Sequence, residues 1–592
     1  MQVLTNHVGF ATASPKRATV QHTQPLQPQP FSVVDLRTRA VVHTGMTVPV
    51  APVEGWKQRH FAHADLTIVT TPGRYAVMLD GTWPPVQSQP FQIGEDLFGS
   101  QMLSDIVHYF KGQRCTGLFD DADRRAPLLD TREPRDVHGG WYDASGDCSK
   151  YLSHLSYANV MNPQQTPLVT WTLLAGRDAI PPQSKWLDER IVDEALHGAD
   201  FLVRMQAPEG FFYVTVFDKW SKDERQREIC SYATQKGLKS ADYQAGFRQG
   251  GGLAIAALAR AAGAHRDGEF TREQYLAAAI RGFELLEQRN PEFLDDHTEN
   301  LIDDYCALLA ASELCARTRD AKWLGVAARY AKRLMAQQDA QGFYWVDRAR
   351  TRSYFHASDA GLPHIALMRF LQVVNEIDPS LPTQATRSAI SRGLMFELRA
   401  TNEAGPNPFA YPRQHVVMPG RAPSTQFFVP HDNESGYWWQ GENARLGSLA
   451  TAARMAAQMD ITQGDVDAST LQAGFIEPLR SYAQNALDWL FGANPFDTCM
   501  LQGWGQNPPR YEPGFWNAPG GVCNGITSGL ADEADIDFRK PEETEPAHSW
   551  RWTEQWIPHA AWLFCALAHG KPPPTKSFHP IDADRRWTPE LL

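Results

Sequence analysis

The spacing of apolar residues changes once along this chain, from a period of two to a helical period. Short β-rich segments such as RATVQH, FSVVDL and GRYAVML first alternate with Pro, Gly and Asp turns, as in a small β-sandwich. Twelve amphipathic helices are then predicted, at 104–110, 166–174, 189–205, 243–262, 272–288, 300–316, 322–337, 362–374, 386–398, 439–459, 479–491 and 558–568. We therefore expect a sandwich domain at residues 1–95 and, at residues 96–592, a barrel of helical hairpins.

Composition excludes several classes of partner. A formal net charge of −12 and the absence of a Lys/Arg-rich run argue against binding to nucleic acid or to anionic membranes. No apolar run reaches the roughly 18 residues that a membrane span needs. The 8 cysteines are scattered without a CxxC pair, which predicts free thiols in a reducing compartment. The N-terminal segment lacks the pattern of a signal peptide, so we expect a cytoplasmic protein.

The segment RDVHGGWYDASGDCSK at 135–150 carries the first candidate chemistry. Asp143 and Asp147 are four residues apart, beside the flat apolar faces of Trp141 and Tyr142, and two glycines allow a sharp turn. Two acids beside an aromatic wall suit a site that positions water against a sugar ring. The alternative is a helix N-terminus, with Asp147 as its cap and Trp141 in the core.

Several motifs resemble glycoside hydrolase family 9, whose best-known members are cellulases. DVHGGWYDASGD resembles the DVSGGWYDAGD signature of that family, and QRCTG at 113–117 is similar to its QRCG. LDWLFGANPFDTCMLQGWGQNPP resembles a late family segment, and TNHVGFATASPKRATV, PGRYAV and PFQIG are similar to the immunoglobulin-like module before many of its catalytic domains. The resemblance implies an all-α (α/α)6 barrel after a small all-β immunoglobulin-like sandwich. It also implies inverting attack by water on a β-glycosidic bond.

The resemblance assigns roles to three acids. It makes Asp147 the general base and Asp143 its partner in holding the water, and it places the general acid at Glu554 in SWRWTEQW. Substrate-stacking residues are expected among the nearby aromatic side chains, although each could equally fill the core. These candidates are Trp141, Tyr142, Trp439, Trp550 and Trp552.

The chemistry of Glu554 is also predictable from its neighbours. Pro558 is typical of a helix start, which places Glu554 in the loop ahead of the last helix. The indoles of Trp550, Trp552 and Trp556 should desolvate the carboxyl group and raise its pKa, as an acid catalyst requires. The alternative is a surface glutamate paired with Arg551. Glu442 in YWWQGENARL is a rival acid that we expect to shape the sugar pocket.

Three differences from the cellulase pattern bear on specificity. DASGD is one residue longer than DAGD, NPPRYEPGFWNAPGG replaces paired histidines and an arginine, and TE replaces NE before the last helix. DASGD with KYLSHLSY and NPQQTP resembles the branch that contains exo-acting β-D-glucosaminidases. That branch implies removal of β-1,4-linked glucosamine from non-reducing ends. An acid such as Glu442, Glu434 or Asp432 could then pair with the glucosamine ammonium, and the alternative for each is a helix cap or a surface charge.

Two alternatives remain open beside the glucosaminidase. One is a β-1,4-glucanase or cellodextrinase; the other is an inactive carbohydrate-binding protein, which would not need all three acids. The motifs HExxH, GxSxG, GxxxxGK and GxGxxG are absent. We expect an oligosaccharide substrate, no cofactor and no catalytic metal, although ADEADID at 531–537 could hold a structural Ca²⁺.

Overall fold

A computed structural model describes residues 1–181, 185–436, 438–459, 461, 468–510, 512–538 and 546–571. Its first part is a β-sandwich of two sheets, with strand orders β1-β3-β7-β6 and β2-β10-β8-β4-β5, and β9 beside β8. Alternate residues of β8, such as Tyr75, Val77 and Leu79, point into the sandwich core. The strands are β1 Gln2–Leu4, β2 Gly9–Ala11, β3 Arg17–His22, β4 Pro30–Asp35, β5 Val41–Met46, β6 Val48–Val50, β7 His60–Asp65, β8 Gly73–Leu79, β9 Val86–Gln87 and β10 Phe91–Gly94.

The second part is a double ring of helices. The helices are α1 Ser100–Gln113, α2 Leu118–Asp123, α3 Thr166–Ala179, α4 Lys185–Arg204, α5 Gly252–Ala261, α6 Arg272–Phe293, α7 Leu301–Thr318, α8 Ala321–Ala336, α9 Leu362–Ile377, α10 Gln384–Glu403, α11 Asn443–Gln458, α12 Ala468–Leu490 and α13 Ile557–Ala568. Helices α3, α5, α7, α9, α11 and α13 pack on one another in a closed inner ring, and α1, α4, α6, α8, α10 and α12 lie outside it.

Burial explains which helices form the inner ring. Every residue of α13 is buried, whereas α8 buries one stripe that includes Trp323, Ala327 and Tyr330. Close approach in the inner ring depends on small residues. A side chain at Gly447 on α11 would clash with the backbone of α13 at Trp562.

Each predicted helix has a counterpart, but two of them begin at least four residues later than expected. The helix predicted at 243–262 begins at Gly252, because Gln244–Ala245 is a strand and Phe247–Gly251 is a π-turn in which Gly250 has a φ of 102°. The helix predicted at 439–459 begins at Asn443. Apolar spacing alone does not distinguish these leading segments from the helices that they enter.

A small sheet lies in segments outside the predicted helices. Its order is β13-β15-β16-β17, and it joins the segment after Asp147 to the hairpins at 212–240. Among the described residues, the short strands outside the sandwich are β11 Ala126–Pro127, β12 Pro134–Arg135, β13 Lys150–Tyr151, β14 Phe212–Tyr213, β15 Thr215–Phe217, β16 Glu228–Ala233, β17 Leu238–Ser240, β18 Gln244–Ala245, β19 Gln414–Val416, β20 Ser424–Gln426, β21 Thr527–Ser528 and β22 Ile536–Asp537.

The sandwich packs directly against the helical part. Trp56 lies 4.8 Å from Phe427, measured between ring centroids, and the Asn6 side chain donates to Asp488 Oδ1 at 2.8 Å. All 8 cysteines are buried free thiols. Within the described ranges, no helix combines the length and the apolar run that a membrane crossing requires.

Candidate active site

The two early acids lie on one tight turn. The backbone N–H of Asp143 donates to Ser149 O at 3.0 Å, and that of Asp147 donates to Ala144 O at 3.2 Å. This closed turn is not a helix N-terminus, so the capping alternative is wrong. Both carboxyl groups are nearly inaccessible, with 4% exposure for Asp143 and 7% for Asp147.

Asp147 is held by two donors. The backbone N–H of Ser149 donates to its Oδ1 and the hydroxyl of Tyr151 donates to its Oδ2, each at 2.8 Å. Two donors on separate oxygens favour the ionised form. Asp147 is therefore oriented and stabilised as a carboxylate.

Asp143 lies between two aromatic rings. The indole N–H of Trp556 donates to Asp143 Oδ1 and Oδ2 at 3.1 and 3.2 Å. His154 Nδ1 lies 3.7 Å from Asp143 Oδ2, and burial lowers the pKa of His154 to about 4, so this ring is neutral. Asp143 thus lacks a cationic partner among these neighbours.

Main-chain pairing brings Glu554 to the acidic turn. The N–H of Ser145 donates to Gln555 O at 2.8 Å, and the N–H of Gln555 donates to Ser145 Oγ at 2.9 Å. The N–H of Ile557 donates to Asp143 O at 3.2 Å. A side chain at Gly146 would clash with the Glu554 carboxyl group, which shows how closely the two segments approach. DASGD therefore uses the hydroxyl and the backbone of Ser145 to fasten the segment that carries Glu554.

Burial gives the acids different proton affinities. Burial, and then the charge of Asp147, raises the pKa of Glu554 to about 8. Burial raises the pKa of Asp147 to about 6, opposed by hydrogen bonds from Ser149 and Tyr151. The pKa of Asp143 is well above its usual range because of burial and the charges of Asp147 and Glu554. Near neutral pH the site therefore combines a protonated Glu554 with an ionised Asp147.

The structure places Trp141 in the core and not beside a sugar. Its ring is fully buried, and its indole N–H donates to Glu194 Oε1 at 2.7 Å. The stacking prediction is therefore wrong for Trp141. Tyr142 is also largely buried, and its ring lies 5.5 Å from that of Trp516.

The three remaining aromatic candidates differ in access. Trp439 and Trp552 are only 3% and 5% exposed, and the guanidinium of Arg551 lies against both rings. Their faces are covered, so the stacking prediction is wrong for these two as well. Trp550 is half-buried and stays a candidate.

Glu442 does not shape a sugar pocket. It is 1% exposed, accepts from the N–H of Val429 at 2.6 Å and pairs with Arg445 Nε at 2.7 Å. Both carboxylate oxygens are thus bonded within the protein, which corrects the prediction for Glu442. Of the other expected ammonium partners, Glu434 pairs with Arg352 at 2.7 Å and Asp432 is exposed.

Sequence reasoning missed several neighbours of the acids. Tyr151 orients Asp147, Trp556 donates to Asp143, and the N–H of Asn524 donates to Glu554 O at 2.8 Å. Trp556 was expected beside Glu554, but its hydrogen bond to Asp143 was not predicted. In the part of the chain that the structure describes, no group of three or more His, Cys, Asp or Glu side chains could hold a metal ion.

Comparison with known families and curated proteins gives consistent matches. The family model "Glycosyl hydrolase family 9" matches residues 100–512, and "Cellulase N-terminal ig-like domain" matches residues 1–83. A cellodextrinase of Butyrivibrio fibrisolvens is 29% identical over 180 residues, which are 26% of this chain and 30% of the relative. Endoglucanase C of Cellulomonas fimi is 26% identical over 252 residues, 37% of this chain and 22% of the relative. The matches thus span less than a third of either relative.

Solved structures extend the similarity to nearly the whole chain. A metagenome-derived glycoside hydrolase family 9 endoglucanase superimposes with a TM-score of 0.62 at 20% identity, covering 96% of this chain and 98% of the other. A Bacteroides ovatus GH9 structure gives 0.61 at 16% identity, with the same coverage. At these identities the likeness shows the fold alone. The predicted (α/α)6 barrel after an immunoglobulin-like sandwich is confirmed.

Proposed function

This chain belongs to glycosyl hydrolase family 9, and we propose that it hydrolyses β-1,4-linked glucose oligosaccharides with inversion of configuration. One observation carries the proposal. The half-buried carboxyl group of Glu554 keeps its proton near neutral pH and shares a site with a carboxylate held by two donors, Asp147. A general acid and a general base in one site are what inverting hydrolysis needs.

Each acid has a defined part in the proposed reaction. Glu554 donates its proton to the glycosidic oxygen as the bond from that oxygen to the anomeric carbon breaks. A water held by Asp147 and Asp143 attacks the anomeric carbon from the opposite face and gives its proton to Asp147. The products are a leaving sugar with a new hydroxyl group and a sugar of inverted anomeric configuration.

The choice of glucose over glucosamine rests on two observations. The curated relatives are named a cellodextrinase and an endoglucanase. In addition, two of the three acids that could pair with a glucosamine ammonium, Glu442 and Glu434, are already paired with Arg445 and Arg352. The comparisons therefore favour the glucanase alternative over the glucosaminidase hypothesis.

A substrate panel tests this proposal. Cellotriose, cellotetraose and the matching glucosamine oligomers are incubated with the wild type, Asp147→Asn, Glu554→Gln and the control Asp136→Asn. Asp136 is an exposed acid of the same segment, paired with His138. We expect hydrolysis of the cellodextrins, with a loss of roughly 10²–10⁴-fold in the first two variants and an unchanged rate in the control.

Two outcomes would contradict the proposal. Cleavage of glucosamine oligomers without cleavage of cellodextrins would restore the glucosaminidase reading. Binding of an oligosaccharide without hydrolysis by the wild type would favour the inactive carbohydrate-binding protein.

A further inference from the structure

The loop at 218–222 is fastened to the acidic turn. Asp218 is fully buried and accepts from the hydroxyl of Ser149 at 2.7 Å and from the backbone N–H of Lys222 at 2.8 Å. Ser149 in turn donates its own N–H to Asp147. The backbone of Lys222 is therefore linked to the proposed general base through two side chains.

This loop has an unusual backbone. Lys219, Trp220 and Lys222 have φ values of 60°, 58° and 55°, a region that residues other than glycine adopt rarely. Such conformations persist where surrounding contacts hold them, and they cluster at active sites and ligand-binding segments. The bonds to Asp218 are contacts of that kind, and they fix the position of the Lys222 backbone.

The Lys222 side chain reaches the segment beside Glu554. Its Nζ donates to Gly514 O at 3.0 Å and lies 5.6 Å from the ring centroid of Phe515 and 5.7 Å from that of Trp516. A side chain at Gly146 would clash with both the Phe515 ring and the Glu554 carboxyl group. Phe515 and the acid thus lie side by side, with the ammonium group next to them.

Trp516 adds an accessible aromatic surface beside Lys222 and Phe515. Its side chain is among the exposed hydrophobic ones, at 44% exposure, and its backbone N–H donates to Ser145 O at 2.8 Å. Its ring packs against that of Tyr142, with the two ring centroids 5.5 Å apart. An indole that is held in place while part of its face stays open is suited to packing against a sugar.

We propose that Lys222, Phe515 and Trp516 form the subsite for the departing sugar, and that the Lys222 ammonium makes this subsite select against glucosamine. The inference rests on the proposed function, since only an acid at Glu554 makes this the leaving-group side. The protonated amine of glucosamine would meet a like charge here, whereas the hydroxyl groups of glucose accept hydrogen bonds from an ammonium. Repulsion of the wrong ligand is a general source of specificity. The same charge lowers the pKa of Glu554, against the larger effect of burial.

Binding measured without turnover tests the subsite. Glu554→Gln serves as the parent, and calorimetry at about pH 6 compares cellotetraose with the glucosamine tetramer, so the result does not depend on hydrolysis. Lys222→Glu should shift the ratio of the two Kd values toward glucosamine at least about tenfold, and Lys222→Gln about threefold. Lys222→Arg keeps the charge and should stay within about twofold of the parent.

A matched control and a second measurement complete the test. Lys219→Glu reverses a charge on the same exposed loop and should leave the ratio within about twofold of the parent. Because a Lys222 variant could fail to fold, the parent's own discrimination is also measured at rising salt, where it should shrink. An unchanged ratio in folded Lys222→Glu, a discrimination that salt does not affect, or binding of neither tetramer would overturn the subsite. Failure of the wild type to hydrolyse cellodextrins would instead overturn the proposed function.

Discussion

Removing one hydroxyl group should displace one limb of the pH–rate profile. The hydroxyl of Tyr151 is one of the two donors that stabilise ionised Asp147, at 2.8 Å, and Tyr151→Phe deletes it without opening the ring's packing space. A hydrogen bond to a charged group contributes about 1.5–3 kcal/mol. Since one pKa unit corresponds to about 1.36 kcal/mol, the pKa of Asp147 should rise by roughly one to two units from its value of about 6.

The assay is kcat/KM for cellotetraose as a function of pH. The base must be ionised and the acid protonated, so the wild type should give a bell with limbs near pH 6 and pH 8, the pKa values of Asp147 and Glu554. Raising the pKa of Asp147 moves the acidic limb toward the alkaline limb. The bell should become narrower and its maximum lower, with the alkaline limb nearly in place.

A neighbouring tyrosine provides the control. Tyr157 belongs to the same aromatic cluster, but its hydroxyl donates to Ser435 O at 3.1 Å and to neither acid. Tyr157→Phe should leave both limbs unchanged. If folded Tyr151→Phe also keeps its acidic limb, Asp147 is not the base whose ionisation limits the rate.

Four further substitutions separate stability from catalysis. Burial raises the pKa of Glu554 from 4.5 to about 8, so the wild type loses stability as pH rises across that interval. Glu554→Gln should therefore raise Tm by a few degrees at pH 8 and by almost nothing below pH 4.5. An equal rise in Tm at both pH values would contradict this link between protonation of Glu554 and stability. Trp141→Phe should lower the free energy of unfolding by about 1–3 kcal/mol in urea with kcat/KM unchanged, because its indole bond is structural; a raised KM would return it to the substrate site. Trp516→Ala should instead raise KM for cellotetraose and leave Tm unchanged. An unchanged KM would contradict the place of Trp516 in the subsite. Glu442→Gln removes the carboxylate that pairs with the buried Arg445 guanidinium and should cost about 3–5 kcal/mol in the same urea titration. A stability loss below about 1 kcal/mol would contradict the assignment.

The fold was largely predictable because periodicity reports burial directly. An inner helix such as α13 shows almost no polar residue between Ile557 and Ala568, and an outer helix such as α8 shows one apolar stripe. Both patterns exist in the sequence before any contact is known. The segment at 212–240 has no such pattern, since its strands are two to six residues long and are held by pairing with one another, with β13 and with β18.

The acids were identified from a motif, whereas the aromatic neighbours required the structure. Trp141 and Trp516 are the same residue type near the same acids, yet one is fully buried and the other is 44% exposed. The Trp141 ring packs against Phe110 and His197, and its indole N–H donates to Glu194 on α4, 53 residues away. No local spacing encodes that contact.

Ser145 and Lys222 illustrate a second limit of the sequence. The additional residue in DASGD is visible as a departure from the family pattern, but its bonds to Gln555 join positions 410 residues apart. In the sequence Lys222 resembles any exposed lysine. Only the structure shows that its backbone N–H donates to Asp218 and its Nζ donates to Gly514 O. Long-range pairing of this kind creates the site.

The anomeric configuration of the first product tests the central claim most directly. Proton NMR during hydrolysis of cellotetraose by the wild type records which anomer is released before mutarotation mixes the two. With Glu554 as acid and Asp147 as base acting through a water, the α-anomer should accumulate first. Initial release of the β-anomer would require a covalent intermediate and would contradict this account.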